Sequence, residues 1–562
     1  MKNSLIILFL FAISNLQLSA QEFLNLDFEH HVYKGQPRKW VIEGEGQYHG
    51  WVDSLGNPYS GKKSLAIRLK NGEAYVFLAL PANIIKGKAI KVTGFVKANQ
   101  FDSLQIMLGF KDPQGRPKLV PLQDPVTNQW NKLENQTSIA AEYNSDKLLI
   151  ALIVIGSGNI NFDGVSIEIN GTAIGDKGAH FPGPTEDEIN TLNRSLIPIK
   201  DLNANSRLDD LKALNKAVGN PKVIALGENS HGSSSIYKLK LRLVQYLVQE
   251  KGYSMFALES PSIEADVINK YVTTKEVGTI ENILSNLVYP SWRTQDMIDI
   301  IEWIKHHNQT AKNKVQFRGF DMQDKTAALN RLLVIANEHD NELVLKLDSI
   351  TSELKREQPD LAKAYNLAES LQKYADGLNA NATPTYSKEL ILEVKRCALI
   401  LKQNLGLSLH LKSRDEYMAE NIQWLLSNYC SNGHLIVSAD NSHITRATGK
   451  MGQFLKSANG TEYLNIGFTF NTGSYAAYGD KKYYEVHPSY VGTYEYLFSK
   501  AKVDNFILDL RQPSIKVIVS SSKGFRSIGS RPQETTQFSE TMLSDNYDLI
   551  AYLEISTHTE MK

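Results

Sequence analysis

A chain of 562 residues with 42% hydrophobic and 22% charged side chains is long enough for two or three domains with cores of their own, and its composition excludes a disordered protein. Lysine plus arginine and aspartate plus glutamate number 61 each, so no global field draws it to nucleic acid or anionic lipid, and a small, nearly neutral ligand suits it better. Two cysteines, Cys397 and Cys430, exclude a disulfide framework and allow one bridge at most.

The chain opens with Met1-Lys2, the apolar run Leu5 to Ile13 and the small-residue pattern Leu18-Ser19-Ala20 before Gln21, the signature of a signal peptide over residues 1–20. The run is too short to cross a bilayer, no cysteine follows to accept a lipid, and no later stretch is apolar enough for a membrane span. An exported protein, periplasmic or secreted, is expected.

Residues 21–170 read as all-β. The runs Trp40 to Ile42, Ser64 to Leu69, Ala74 to Leu80, Ala89 to Lys97, Leu104 to Phe110, Lys147 to Ile155 and Ile160 to Ile169 are short, partly alternating and parted by Gly, Pro, Asn and Asp clusters. This predicts a β-sandwich of jelly-roll type. Tyr59, Gly61, Ser64-Leu65 and the closing phrase Gly158 to Asn170 resemble the strands of carbohydrate-binding and galactose-binding-like modules, which implies a glycan as partner of this domain. Trp40, Trp51 and Trp130 are the rings that could stack on sugar, although burial in the sandwich is the commoner fate of such tryptophans.

Residues 171–184 are dense in Gly and Pro and read as a linker, after which Thr185, with Glu188 three residues on, marks a helix start and a new domain over 185–562. That domain is organised around Val223 to Pro261. An apolar run ends in Gly227 and delivers Glu228, Asn229, Ser230 and His231; Leu239, Leu243, Val244 and Leu247 then recur at helical spacing; Gly252 closes the helix, and Met255 to Leu258 begins a strand ending in Glu259. Strand, helix, strand in this order gives parallel neighbours, whose C-terminal ends share one side of the sheet, so Glu228, His231 and Glu259 are expected to converge there.

Further strands are expected at Val315 to Phe320, Leu435 to Ser438, Tyr463 to Phe470, Phe506 to Leu510 and Leu549 to Leu553, several of them running into a reactive residue: Asp321, then Asp440 and His443, then Arg511. The stretch from about 324 to 430 is amphipathic helix with a break near Asn379 to Pro384, and is expected to be a helical insertion that caps the pocket. The fold class is thus multidomain, a β-sandwich followed by an α/β domain with a parallel-type sheet and a helical cap.

The phrases LGENSHG (226–232), FALESP (256–261), SWRTQDM (291–297), RGFDMQ (318–323), RDEYMAENIQWL (414–425), SADNSH (438–443) and GFTFNTGSY (467–475) resemble, in order, blocks of the erythromycin esterase family. The resemblance covers about Ile197 to the C-terminus. It implies hydrolysis of a macrolide lactone or related ester by water activated at a histidine, with Glu228 and His231 matching the family's Gly-Glu-x-x-His core and Glu259 its later glutamate. Two positions depart from the family pattern: Asp440 stands where a histidine is usual, and Lys240 where an arginine is usual. Lysine keeps the charge but loses the planar fork that binds oxygen atoms in pairs.

The residues support the same chemistry. Histidine is the side chain whose ordinary pKa suits a base near neutrality, and a carboxylate on its other nitrogen fixes the tautomer. His231 is the expected base, Glu228 and Glu259 orient it or hold water, and Lys240, Arg293 and His443 stabilise the developing oxyanion, with Asp321 and Asp440 lining the substrate. Asp321 with Arg318 fits equally a buried ion pair bracing neighbouring strands, and Arg414-Asp415 a salt bridge on the helix side facing the site. No cofactor is required. A divalent ion on Glu228, His231, Glu259, Asp440 and His443 is the alternative within hydrolases, and an exported binding protein that has lost turnover is the alternative outside them. A serine nucleophile has no Gly-x-Ser-x-Gly elbow to sit on.

Overall fold

A computed structural model describes residues 24–111, 117–122, 127–143, 147–175, 183–274, 278–285, 287, 289–379, 386–430, 433–533 and 537–562. The expected signal peptide lies outside these residues, as does most of the linker and of the helix break after Asn379. The chain divides into two compact units, one up to Gly183 and one from Pro184 onward.

The first unit is a single antiparallel sheet built from β1 (Trp40–Asp53), β2 (Ser64–Pro81), β3 (Ala89–Lys111), β4 (Pro117–Pro121), β5 (Asn131–Ser138), β6 (Lys147–Ile169) and β7 (Thr172–Ile174). Its order is β1-β2-β6-β3-β4, with β5 added to β3 and β7 to β6. Pairs of runs expected as separate short strands are joined into β2, β3 and β6, because the polar breaks between them are bulges rather than turns. The register slips between Glu45 and Gln47, Leu69 and Gly72, and Asn99 and Ser103, beside Gly46, Asn71 and Gln100, all at positive φ. Leu65, Ile67 and Leu69 before one bulge and Ala74, Val76 and Leu78 after it enter the same core, with Phe28, Trp40 and Phe162. Trp40 is buried there, its Nε1 donating to the carbonyls of Leu24 and Asn25, whereas Trp51 and Trp130 are half-buried.

The second unit is α/β. Its strands are β8 (Leu196–Pro198), β9 (Val223–Leu226), β10 (Met255–Pro261), β11 (Gln316–Asp321), β12 (Leu435–Ser438), β13 (Tyr463–Tyr475), β14 (Tyr484–Glu485), β15 (Asn505–Asp509), β16 (Lys523–Arg526), β17 (Phe538–Thr541) and β18 (Leu549–Ser556). The main sheet runs β11-β10-β12-β9-β13-β18-β15-β8. From β11 to β18 every pairing is parallel, while β15 and β8 are antiparallel, so the sheet is mixed at one edge.

Both faces of this sheet are covered, which is why its strands are apolar throughout rather than alternating. Val223, Ala225, Met255, Ala257, Leu435 and Val437 face one core, and Ile224, Leu226, Phe256, Leu258 and Ile436 the other. The second face is covered by helices Ser234–Lys251, Ala265–Thr273 and Gln295–Thr310. The first is covered by the insertion, whose helices are Thr326–His339, Asn341–Leu354, Leu361–Gly377, Lys388–Ser408 and Arg414–Tyr429. The insertion is therefore a structural layer of the domain as well as a neighbour of the site. Four of these five helices start at side-chain caps, Asp340, Asp360, Ser387 and Ser413 each accepting from a backbone N–H in the first turn. Cys397 and Cys430 are buried and no disulfide joins them.

Candidate active site

The loop after β9 is pinned on several sides. Gly227 donates to the Ile466 carbonyl, Ile528 and Gly529 donate to the Asn229 carbonyl, and His231 donates its N–H to Gly529. Gly232 lies so close to the next segment that a Cβ there would sit 1.8 Å from the Ala476 carbonyl oxygen. Ser233 then caps helix Ser234–Lys251, accepting from the Ile236 N–H. A short apolar strand, two glycines and a capping serine thus fix where His231 stands.

His231 Nδ1 donates to Glu228 Oε1 across 2.7 Å, and the second oxygen of Glu228 accepts from the Lys240 ammonium, which also donates to Ser438 Oγ at 3.0 Å. Nε2 of His231 has no hydrogen-bond partner among the described residues, and the side chain keeps 15% exposure. Its ring meets Trp292 edge-on at 4.9 Å, and Trp292 Nε1 donates to the Glu259 carbonyl. Burial alone would depress the His231 pKa; the hydrogen bond and charge of Glu228, with Asp440 and Glu259 behind it, outweigh burial and raise it to about 9. Burial pushes Glu228 up, but Lys240 and His231 reverse this and hold it below the usual carboxylate range.

A second histidine stands on the other side of Glu259. His443 Nδ1 lies 2.8 Å from Asp415 Oδ1, and its Nε2 lies 3.3 Å from Glu259 Oε1 and 3.1 Å from Arg414 Nη1, so neither nitrogen is unengaged. Burial would lower its pKa, but Glu259 and Asp415 raise it above the ordinary value. Arg414 Nη2 donates to both Glu259 Oε1 and Asp321 Oδ2 at 2.8 Å, and Tyr289 adds a bond to Asp321 at 3.0 Å. Glu259 Oε2 accepts the Asp440 N–H at 3.0 Å. Although burial opposes ionisation of Glu259, His443, Arg414 and His231 bring its pKa down to about 2.

Glu228, His231, Glu259, Asp321, Asp440 and His443 are thus brought together at the C-terminal ends of β9, β10, β11 and β12. Lys240 and Arg293 stand elsewhere than expected. Lys240 is fully buried behind Glu228, its ammonium donating to that carboxylate and to Ser438 Oγ rather than facing the substrate side. Arg293 turns to the carbonyls of Leu287 and Ser285 and closes its own loop. Asp440 caps the short helix Asn441–Ile444 by accepting from Ser442 N–H at 2.7 Å. Arg318 pairs with Asp266 at 2.6 Å, not with Asp321.

The residues that sequence reasoning undervalued are Arg414 and Asp415. An arginine in the first helical turn opposes the helix dipole, which is the signal that it serves a partner outside the helix. That partner is the carboxylate pair Glu259 and Asp321.

A divalent ion does not fit this donor set. The oxygens of Glu228 and Glu259 are already taken by Lys240, His231, Arg414 and the Asp440 N–H, and among the described residues no group of three or more His, Cys, Asp or Glu side chains is arranged to hold a metal.

Histidines and carboxylates gathered at the carboxyl ends of parallel strands define an enzyme-type site on an α/β scaffold. The chain belongs to the erythromycin esterase family, whose profile matches residues 248–556. The match takes in Glu259, Arg414, Asp415 and His443, and begins after Glu228 and His231. Erythromycin esterase type II of Escherichia coli is 27% identical over 328 residues, 50% of this chain and 76% of that protein. A Bacillus subtilis (strain 168) relative is 23% identical over 293 residues, 46% of this chain and 64% of that protein. In structure, a Bacillus cereus protein superposes with a TM-score of 0.59 at 22% identity, covering 68% of this chain and 100% of that one, which shows a shared fold.

Proposed function

We propose that the protein hydrolyses a carboxylic ester or lactone, a macrolide or a related compound, with water activated at His231. The observation that carries this reading is the asymmetry of the two histidines: His443 is engaged at both nitrogens, while His231 is fixed by Glu228 at Nδ1 and keeps Nε2 available. Neutral Nε2 takes a proton from water as the oxygen adds to the ester carbonyl carbon. Glu228 holds the proton on Nδ1 and balances the imidazolium that forms. The negative charge on the former carbonyl oxygen is offset by the positive charge of the Arg414 guanidinium, which His443 and Glu259 hold in place. Collapse breaks the carbon–oxygen bond, and the imidazolium returns its proton to the leaving alkoxide.

The test is turnover of erythromycin and of simple chromogenic esters by the wild type and by His231→Ala. The variant is expected to lose on the order of 10² to 10⁴ in kcat while folding normally. A folded variant with wild-type turnover overturns the assignment. The leading residues support export as part of the same reading, and a mature protein recovered outside the cytoplasm with Gln21 at its N-terminus is the expected result.

A second reading concerns the N-terminal unit, as a glycan-holding module. Trp51 is half-buried, with His49 stacked on it and the Arg68 guanidinium 5.1 Å from its ring; Trp130 is half-buried under Lys97 and beside Tyr59, which is 46% exposed. Rings with cations at the surface suit stacking against sugar. Retention on insoluble polysaccharides that survives both Trp51→Ala and Trp130→Ala would remove these residues from it.

A further inference from the structure

The last residues of the chain run between two segments of the site. Thr559 donates its N–H to the Gly232 carbonyl at 2.9 Å, and Ser234 donates to the Thr557 carbonyl at 2.8 Å. On the other side, Gln295 donates to the Glu560 carbonyl at 3.0 Å and Lys562 to the Arg293 carbonyl at 2.8 Å. Isolated bridges join Ser233 to His558 and Thr294 to Met561. The result is a strap paired to the His231 loop along one edge and to the start of helix Gln295–Thr310 along the other.

One carboxylate ties all three segments. Asp296, 5% exposed in the first turn of that helix, accepts from Ser234 Oγ at 2.7 Å with one oxygen and from Thr559 Oγ1 with the other. Ser234 and Thr559 are themselves 7% and 2% exposed. A carboxylate side chain at a helix start is favoured by the helix dipole, which suits Asp296 to the first turn of this helix. Neither hydroxyl is required for the backbone pairing described above, and both turn to the same acid.

We propose that Asp296 is a positioning residue for His231: through Ser234 and Thr559 it bolts the histidine loop to the helix and to the strap, and so sets the direction of Nε2 relative to Glu228 and the substrate. This rests on the reading of His231 as the base. The ring is held at Nδ1 by Glu228 and edge-on by Trp292, so where Nε2 points follows from where the loop backbone is tied. A loop shifted by an ångström misaligns the base with the water it must activate, which is enough to cost about 10²-fold in rate.

The test uses the full chain with Asp296→Asn, Ser234→Ala, Ser234→Thr, Thr559→Val and Thr559→Ser. Asp296→Asn and Ser234→Ala are expected to lower kcat by about 10- to 100-fold with KM little changed. The variants that keep a hydroxyl, Ser234→Thr and Thr559→Ser, are expected to keep most of the activity. A second measurement does not depend on turnover: the pH dependence of diethyl pyrocarbonate modification at His231, read by mass spectrometry. Its midpoint is expected to move from about 9 in the wild type toward the ordinary histidine value in Asp296→Asn, as the bond to Glu228 loosens.

Wild-type kcat and an unchanged midpoint in Asp296→Asn, with only the melting temperature lowered, would show a structural tie and overturn the proposal. Should Asp296→Asn not fold, Ser234→Ala and Thr559→Val each remove a single bond and decide the same question. A wild type that turns over no ester defeats the functional reading alone, because the modification experiment still reports whether Asp296 fixes the ring.

Discussion

The Lys240 ammonium donates to Glu228 with both side chains fully buried. A buried pair broken on one side leaves an uncompensated charge, which costs about 3–5 kcal/mol, whereas removing both charges is often nearly neutral. Lys240→Met should therefore destabilise the protein by about that amount in denaturant unfolding, and Lys240→Met with Glu228→Gln should regain most of it. Equal losses in the single and double variants would show that Lys240 acts through packing rather than through Glu228.

The pH dependence follows from His231. With a pKa raised from 6.5 to about 9, its ring is largely protonated at pH 7, and kcat/KM should climb close to tenfold per pH unit before levelling near 9. Glu228→Gln removes the main cause of the rise and should shift the limb toward acid while lowering its plateau. Stability runs the opposite way: the raised pKa contributes in full below about 6.5 and is lost as pH rises through about 9. Glu259, held near 2, contributes above about 4.5 and is lost as pH falls through about 2. A flat rate profile between pH 6 and 9 would exclude His231 as the base.

Arg414 neutralises two carboxylates, Glu259 and Asp321, that are 7% and 0% exposed as side chains. Its own side chain is 23% exposed, so the cost of Arg414→Met is set below the fully buried case, at about 2–3 kcal/mol. Arg414→Lys keeps the charge but not the three nitrogens that together hold Asp321, Glu259 and His443, and is expected to recover stability better than kcat. Chemical denaturation and turnover measured on the same preparations check this. Full activity in the lysine variant would show that one point charge suffices.

Gly232 admits no side chain. Gly232→Ala would force apart the His231 loop and the Ala476 segment, whose backbones bond across this point at 3.0 Å. We expect a fall in activity at least as large as that of a misplaced base, about 10²-fold, with a lowered melting temperature. A fully active Gly232→Ala protein would mean the loop is not held where it is described.

Much of this site is legible in the amino-acid sequence. Apolar runs that end in Glu228, Glu259, Asp321 and Asp440 mark strands buried on both faces, and the strand–helix–strand unit places their ends together. What sequence spacing cannot give is which cation meets which acid. Lys240 and Arg293 carry the right charge, yet one is consumed by Glu228 and the other by backbone carbonyls. Arg414 reaches Glu259 from a helix 155 residues away along the chain. In the N-terminal unit, Gly, Asn and Gln at positive φ read as breaks because a bulge and a turn use the same residues; only the continuing ladder tells them apart.

The place of β12 in the sheet has a bearing on how the chain reaches this state. β9 and β10 follow one another in sequence, yet in the sheet β12 lies between them and pairs with both. Consecutive parallel strands usually end up adjacent, so during folding β9 and β10 have every inducement to zip directly. A chain that does so has closed the slot that the later strand must occupy, and with it the ends that carry Glu228, Glu259 and Asp440 cannot interlock. Refolding should then be slow and prone to a compact, inactive state that clears only when that premature pair reopens, and the helical layer made between β11 and β12 would have to dock before, not after, the sheet is sealed.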